Sequence, residues 1–187
     1  MEIKGYKAFN KDHTNRYGVP FEEGKSYHAD GPIRFGNNGC GFHMCVHLSD
    51  VFRFFDPKNV DVAAVTASGT FDEGEYDDWQ EPYYDMYAVS DIHIDKFLSR
   101  EEILEIMMNA SASDIVKFMA TFDITDEEAL MLLRANRYKD CLEKLKKAYL
   151  YYLKGINVYF MEKEDCERVL RKVLVDGQDS NQRSKGK

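Results

Sequence analysis

The sequence predicts an α+β protein in which a small mixed or antiparallel sheet with one packed helix is followed by a C-terminal partial helical bundle. Three segments of the first half have the alternation or the β-branched composition that is typical of strands. In the second half, apolar residues recur at helical spacing. We therefore expect a β-rich domain over residues 1–98, a helical domain over 99–176 and a disordered tail over 177–187.

The β-rich half begins with a strand and continues into a loop region. Gly, Pro and Asn punctuate residues 18–39, which predicts short strands at most. Ser49 is expected to cap a two-turn helix over residues 50–55, which Pro57 ends. The strands are expected over residues 3–9, 60–71 and 87–94.

The helical half carries its own start signals. Ser99 with Glu102, and Thr125 with Glu128, have the spacing of capping boxes, in which hydroxyl and carboxylate each bond an orphan backbone amide. Ser111 or Ser113 is expected to start the helix between them. Further elements are expected as a helix over 138–154, a short extended piece over 156–160 and a last helix around 166–174.

Charge is distributed unevenly along the 187 residues, whose formal net charge is −8. Residues 72–98 hold nine acidic residues against Lys96 alone, and such a surface repels phosphate backbones, so we expect no direct nucleic-acid binding. No stretch approaches the ~20 apolar residues that a membrane span needs. Without a signal-peptide pattern at the start, we expect a cytoplasmic protein with free thiols, no membrane association and no cofactor.

Within this acidic segment, carboxylates and aromatic rings are interleaved. Such a mixture is typical of a surface that binds a protein partner, because Tyr and Trp bury area while keeping a polar group. The alternative is a solvated loop that its rings anchor to the body of the protein. The candidate partner-binding residues are Asp77, Asp78, Trp79, Glu81, Tyr83 and Tyr84.

Residues 39–47 concentrate the most potential chemistry, with two of the four cysteines and two of the five histidines. On an extended strand His43, Cys45 and His47 would point to one side, since side chains alternate. With Cys40 they are the candidate ligands for a transition metal. Alternatively, Cys45 is a nucleophile of a hydrolase or transferase, close to a helix start and flanked by imidazoles. We favour a third interpretation, a buried structural Cys45 with no metal bound.

The order of several short motifs resembles that of a known family. Tyr6–Phe9, Gly24–Tyr27, Gly41–Cys45 and the following Leu48–Phe52 are similar to an uncharacterised domain found in bacterial and phage proteins. The core of that domain is Gly-Phe-His-x-Cys before an apolar helix. The resemblance covers roughly residues 1–98, and it implies a bacterial or phage setting without an assigned activity.

A more distant likeness is to the ADP-ribosyltransferase superfamily, in which an aromatic and a cationic residue open an early strand. Tyr6 and Lys7 are similar to that pair, although Lys7 stands where those enzymes use Arg or His. His43 stands where they often use Tyr. The likeness implies NAD as substrate and a carboxylate that stabilises an oxocarbenium-like sugar. The catalytic residues that it implies are Tyr6, His43 and one acidic residue, Glu75 being chosen over Glu73 and Glu81.

Two functions therefore follow from the sequence. The first is a non-enzymatic protein-binding module whose partner the sequence does not identify. The second is an ADP-ribosyltransferase-like enzyme that uses NAD. Because one fold can host many functions, the choice between them depends on the geometry of the site.

Overall fold

A computed structural model describes residues 2–36, 39–73, 86–135, and residues 140, 141, 143, 144, 146 and 147. The chain divides into two compact units, Met1–Ile103 and Leu104–Lys187. The described strands are β1 (Ile3–Asn10), β2 (Ser26–His28), β3 (Phe42–Cys45), β4 (Val60–Glu73) and β5 (Met86–Phe97), and the described helices are α1 (Leu48–Phe54), α2 (Arg100–Met108), α3 (Ala112–Thr121) and α4 (Asp126–Arg134).

The five strands of the first unit form one sheet that closes into a small barrel. β5 pairs with β4 along one edge, and its other edge pairs first with β3 and then with β2. β1 pairs with β4 along its whole length and meets β3 where Tyr6 stands opposite Cys45. All these pairings are antiparallel. The prediction was a small mixed or antiparallel sheet, and the described sheet is the antiparallel alternative. Its closure into a barrel was not predicted, because it depends on the β1–β3 contact, which no local pattern indicates.

The barrel is filled from the inner faces of its strands. Side chains alternate across a strand, so every second residue of β4 and β5 enters the core while the residues between them face outward. Burial of these apolar side chains is the main stabilising contribution to the unit. The buried core residues are Phe9, Phe21, Met44, Ala63, Val65, Ala67, Val89, Ile92 and Ile94.

Helix α1 packs on β1 and β3, and its start differs from the prediction. The helix begins at Leu48, and its N-cap is His47, whose side chain makes no capping hydrogen bond. The predicted Ser49 cap is therefore wrong, and Ser49 is instead buried in the first turn. The helix begins earlier because Leu48 and Val51 are both buried, so apolar packing fixes the first turn.

The predicted capping signals after β5 are confirmed. The backbone N–H of Glu102 donates to the Ser99 hydroxyl at 3.3 Å, and the Ser99 N–H donates to the Glu102 carboxylate at 3.0 Å. Thr125 and Glu128 form the same reciprocal pair at the start of α4. Ser111 caps α3 by accepting from the N–H of Asp114.

The second unit has an apolar interior in its described part. The rings of Phe118 and Phe122 stack with their centroids 4.5 Å apart, and Cys141 is fully buried. The elements predicted over 138–154, 156–160 and 166–174, and the tail over 177–187, lie wholly or largely outside the described residues, so the partial bundle stays a prediction. Among the described helices, none has the length and apolar character required to cross a membrane.

Candidate functional site

The Cys–His segment is divided between a strand and a helix cap. β3 ends at Cys45, and the chain then turns into α1 with His47 exposed at the N-cap. Cys45 is buried, while His43 is partly buried. His47 was expected to share one strand face with His43 and Cys45, but β3 ends at Cys45 and His47 is instead the N-cap residue of α1.

His43 lies under the loop that precedes β3. The backbone N–H of Gly36 donates to its Nε2 at 3.2 Å, and the Phe35 ring meets the imidazole edge-on at 4.9 Å. Burial lowers the pKa of His43, and the nearby Lys7 and Arg16 cations lower it further. The ring is therefore neutral at pH 7, and because Nε2 accepts a hydrogen bond its proton is on Nδ1.

Lys7 and Tyr6 lie beside His43 at the seam between β1 and β3. The Lys7 ammonium donates to the backbone carbonyl of His43 at 2.8 Å, and burial lowers the Lys7 pKa to about 8. Burial also raises the pKa of Tyr6, so its phenol is protonated at neutral pH. Tyr6 and His43, two of the residues implied by the ADP-ribosyltransferase likeness, therefore lie on neighbouring strands.

The remaining predicted site residues are not brought into this seam by the described structure. Cys40 is exposed and forms an isolated bridge with Ile33. Across the described ranges, no group of three or more His, Cys, Asp or Glu side chains is arranged to hold a metal ion. The residues that lie outside the described ranges are Glu75 and the whole acidic aromatic set, Asp77, Asp78, Trp79, Glu81, Tyr83 and Tyr84.

A polar groove lies on the outer face of the barrel, where β2, β5 and β4 are adjacent. Its volume is about 530 Å³. Ser26, His93 and Thr66 stand in one row across the three strands, because Ser26 and Thr66 both pair with His93. His28, Asp91 and Ser68 form the next row. The lining residues are Glu2, Ser26, Tyr27, His28, Thr66, Ser68, Asp91, Ile92, His93 and Asp95.

The His28 row is built around a carboxylate. His28 Nδ1 lies 2.7 Å from Asp91 Oδ1, and the Ser90 hydroxyl donates to Asp91 Oδ2 at 2.6 Å. The bond to Asp91 and its charge raise the pKa of His28, while Ser90 first and His28 second lower that of Asp91. Gly69 permits this arrangement: its φ is +80°, and a Cβ there would lie 2.0 Å from Asp91 Oδ2.

The other row contains Ser, His and Asp, the residue types of a hydrolytic triad, in a different geometry. Ser26 Oγ lies 2.9 Å from His93 Nδ1, and the Thr66 hydroxyl donates to Asp95 at 2.9 Å. His93 Nε2 is 3.9 Å from the nearest Asp95 oxygen, too long for the hydrogen bond that orients a catalytic base. With 41% of the His93 side chain exposed, the row is a solvated network rather than a shielded catalytic site.

The groove was missed by sequence reasoning, although one local signal was present. Asp91, His93 and Asp95 alternate with Ile92 and Ile94, a pattern that places polar groups on the outer face of a strand. Their pairing partners on β2, Ser26 and His28, lie more than sixty residues earlier in the chain. The register between β2 and β5 arises only when the chain folds, so the sequence pattern did not indicate it.

Comparison with known proteins gives one family match. A family model described as a domain of unknown function (DUF7666) covers residues 3–105, which include all five strands of the barrel and α1. No curated protein and no solved structure matches the chain. The expectation of an uncharacterised domain is confirmed, while the bacterial or phage setting and the ADP-ribosyltransferase likeness stay predictions. With more than half of its length matched, the chain belongs to this family of domains of unknown function.

Proposed function

We propose that the protein is a non-enzymatic binding module that takes an extended, cationic segment of a protein partner into the β2–β5–β4 groove. The observation that carries the proposal is the groove itself, a polar groove of about 530 Å³ beside β2, which is an edge strand among the described strands of the sheet. The sheet supplies backbone hydrogen bonds to a partner strand, and the groove supplies side-chain contacts.

The backbone of β2 supports pairing with an added strand. Lys25 and Ala29, which flank β2, bond inward to β5: Ile94 N–H donates to the Lys25 carbonyl, and the Ala29 N–H donates to the carbonyl of Ser90. Because inward and outward residues alternate, the backbone groups of Ser26 and His28 face the other way, toward the edge of β2 that has no strand partner among the described residues. An edge strand with free N–H and C=O groups is a template for a further strand.

Charge supports a cationic occupant. Neighbouring strands are about 4.8 Å apart, so the three-strand face is roughly 10 Å wide, enough for the side chains of one extended segment. Glu2, Asp91 and Asp95 give the groove three carboxylates. Asp91 is bonded to His28, whereas Asp95 accepts from the Thr66 hydroxyl and lies 3.9 Å from His93 Nε2. Lys or Arg at alternate positions of the segment would face these carboxylates.

Fluorescence anisotropy with a labelled heptapeptide tests the proposal. The peptide carries Lys at alternate positions between Val and Thr, and a matched peptide carries Glu instead of Lys. We expect only the Lys peptide to bind, and we expect Asp95→Asn to weaken it about fivefold, as for a partly exposed ion pair of about 1 kcal/mol. Asp61→Asn is the control, on the same strand as Thr66 but roughly 17 Å along it.

A second pair of variants separates backbone pairing from side-chain contact. Ser26→Pro removes an outward N–H from β2 without removing a bond to β5, whereas Ser26→Ala keeps that N–H. We expect Ser26→Pro to lose binding and Ser26→Ala to retain most of it. Equal affinity for the Lys and Glu peptides, or unchanged binding by Ser26→Pro, would show that the groove is not the partner site.

The acidic aromatic segment, which contains Asp77, Asp78, Trp79, Glu81, Tyr83 and Tyr84, is a second candidate surface for the same function. Neutralising Asp77, Asp78 and Glu81 together is expected to weaken partner capture in a salt-sensitive manner, because opposite charges steer association. If the triple variant captures the partner as well as the wild type does, the acidic aromatic segment is not part of the binding surface.

The alternative function, ADP-ribosyl transfer from NAD, is tested by thermal unfolding with NAD and ADP-ribose. A ligand that prefers the folded state raises the Tm. Suppose that NAD or ADP-ribose raises the Tm of the wild type but not that of His43→Gln, and that the wild type binds no heptapeptide. This result would favour the enzyme over the binding module. Unchanged unfolding with either nucleotide would count against the enzyme.

A further inference from the structure

The two histidines of the groove each lie beside one of its carboxylates. His28 Nδ1 is 2.7 Å from Asp91 Oδ1, and His93 Nε2 is 3.9 Å from Asp95 Oδ1. Solvent reaches both rings, since 60% of the His28 side chain and 41% of the His93 side chain are exposed. A groove whose carboxylates attract cations therefore holds, next to those carboxylates, two side chains that can become cations themselves.

The other titratable groups around the groove are carboxyl and phenol groups. Of the residue types present, only histidine ordinarily titrates between about pH 5.5 and 8. Asp30, which follows β2, lies 3.6 Å from His28 Nε2, at the ring nitrogen that Asp91 does not contact. The lining residues of β4 are Thr66 and Ser68, which contribute hydroxyls. The carboxyl and phenol groups in the lining belong to Glu2, Tyr27, Asp91 and Asp95.

Protonation of a histidine changes what its carboxylate offers to a ligand. A neutral His28 ring leaves Asp91 with an uncompensated negative charge, whereas a protonated ring pairs with that charge. The hydrogen bond with Asp91, and then its charge, raise the pKa of His28, so this ring gains its proton at a higher pH than an ordinary histidine. A protonated His93 carries N–H groups on both nitrogens, one beside Ser26 Oγ and the other nearer Asp95. A cationic ligand then meets a neutralised pair instead of a carboxylate.

We propose that the groove binds its cationic segment at neutral to mildly alkaline pH and releases it on acidification, with His28 and His93 as the internal cations that replace the ligand. This inference rests on the proposed function, because it concerns the same groove and the same class of ligand. Binding and protonation are linked. A bound Lys or Arg disfavours the charged imidazole, and the charged imidazole disfavours the bound cation by the same factor.

Fluorescence anisotropy with the labelled Lys heptapeptide, at pH 5.5 and at pH 8 and at constant ionic strength, tests the release. The Lys side chains of the peptide keep their charge over this range. We expect the affinity to be about tenfold weaker at pH 5.5, because each exposed ion pair that the ligand loses weakens binding about threefold. His28→Gln and His93→Gln should each reduce the difference to about threefold, and the double variant should bind almost equally at both pH values. These variants gain affinity at pH 5.5, which a damaged fold would not produce.

The matched control is His13→Asn. His13 lies outside the groove, in the loop after β1, and its φ of +58° is one that Asn tolerates. This variant should keep the tenfold difference. A second measurement uses labelled wild-type protein, in which the titration of the His28 ring resonances should move to lower pH when the Lys peptide is bound, because a nearby cation disfavours the charged ring.

Two results would overturn the pH dependence and leave the groove as the partner site. One is a Lys peptide affinity that is the same at both pH values in the wild type, and the other is a pH difference that persists in the double variant. A Lys peptide that binds at neither pH would refute the proposed function and this inference together.

Discussion

Gly5→Ala is expected to open the seam that closes the barrel. A Cβ at position 5 would lie 2.3 Å from Met44 Cε and 2.4 Å from the Cys45 carbonyl oxygen. The Met44 methyl can rotate away, but the carbonyl belongs to the backbone of β3. Ordinary contact begins near 3.4 Å, so β1 and β3 would have to separate by about 1 Å (3.4 − 2.4). This separation acts next to the point where the described β1 and β3 pair, with Tyr6 opposite Cys45.

The free-energy change can be estimated from opposing terms. Overpacking costs typically 1–3 kcal/mol, and weakening a backbone hydrogen bond at the seam costs about 1 kcal/mol more. Replacing Gly in a strand by Ala also stabilises the folded state by roughly 0.5–1 kcal/mol, because Ala reduces the conformational entropy of the unfolded chain. We expect a net loss of about 2 kcal/mol and a fall in Tm of roughly 10 °C for a unit of this size.

Urea unfolding followed by circular dichroism measures this loss. Gly18→Ala is the control, since its φ is +78° but no atom lies within 4 Å of the added methyl. We expect Gly18→Ala to lower the free energy of unfolding only by its backbone strain, about 1 kcal/mol. If Gly5→Ala is as stable as the wild type, or loses less than Gly18→Ala, the close approach of β1 to β3 is refuted.

Three further predictions follow from named contacts. We expect His28→Gln to lower the Tm, relative to the wild type, most strongly between about pH 4 and 6.5. The raised pKa of His28 contributes stability that is lost as the pH rises through that pKa, and the lowered pKa of Asp91 contributes stability that is lost as the pH falls through that pKa. A deficit that is constant over pH 3–9 in thermal scans would contradict this. Thr125→Ala should lower the free energy of unfolding, measured in urea, by about 1 kcal/mol, because the Thr125 hydroxyl accepts from the Glu128 backbone N–H. Thr125→Ser keeps a hydroxyl and should lower it much less, so equal losses in the two variants would contradict the capping role. Gly69→Ala should lower both the Tm and peptide binding, as its methyl displaces Asp91, and normal values of both would rule out that displacement.

Local signals predicted most elements of the fold. The segments β1, β4 and β5 were recognisable because their side chains follow the strand period or have β-branched composition. The helix caps at Ser99 and Thr125 were predictable since a capping box is complete within four residues. The start of α1 was not, because burial of Leu48 outweighed the hydroxyl of a Ser one position later.

The candidate sites depend on pairing between distant segments, which explains why they were found only in part. The alternation around His93 is visible in the sequence, but its contact with Ser26 requires the β2–β5 register. From the sequence, Lys7 was singled out only through the distant likeness to ADP-ribosyltransferases. The hydrogen bond from its side chain to the His43 carbonyl arises because β1 and β3 meet at the barrel seam.

The order of the strands along the chain sets the timing of assembly during synthesis. β1 is made first, but its long partner β4 begins only at Val60, and β5, which joins three other strands, is complete only at Phe97. At 5–20 residues per second, a ribosome needs about 5–20 s to make the residues between β1 and the end of β5. Until Glu73 is made, the edge of β1 that pairs with β4 lacks its partner and can pair with other chains, and β3 and β4 lack their partner β5 until Phe97. A nascent chain that stalls before residue 97 therefore exposes strand edges that the finished barrel covers.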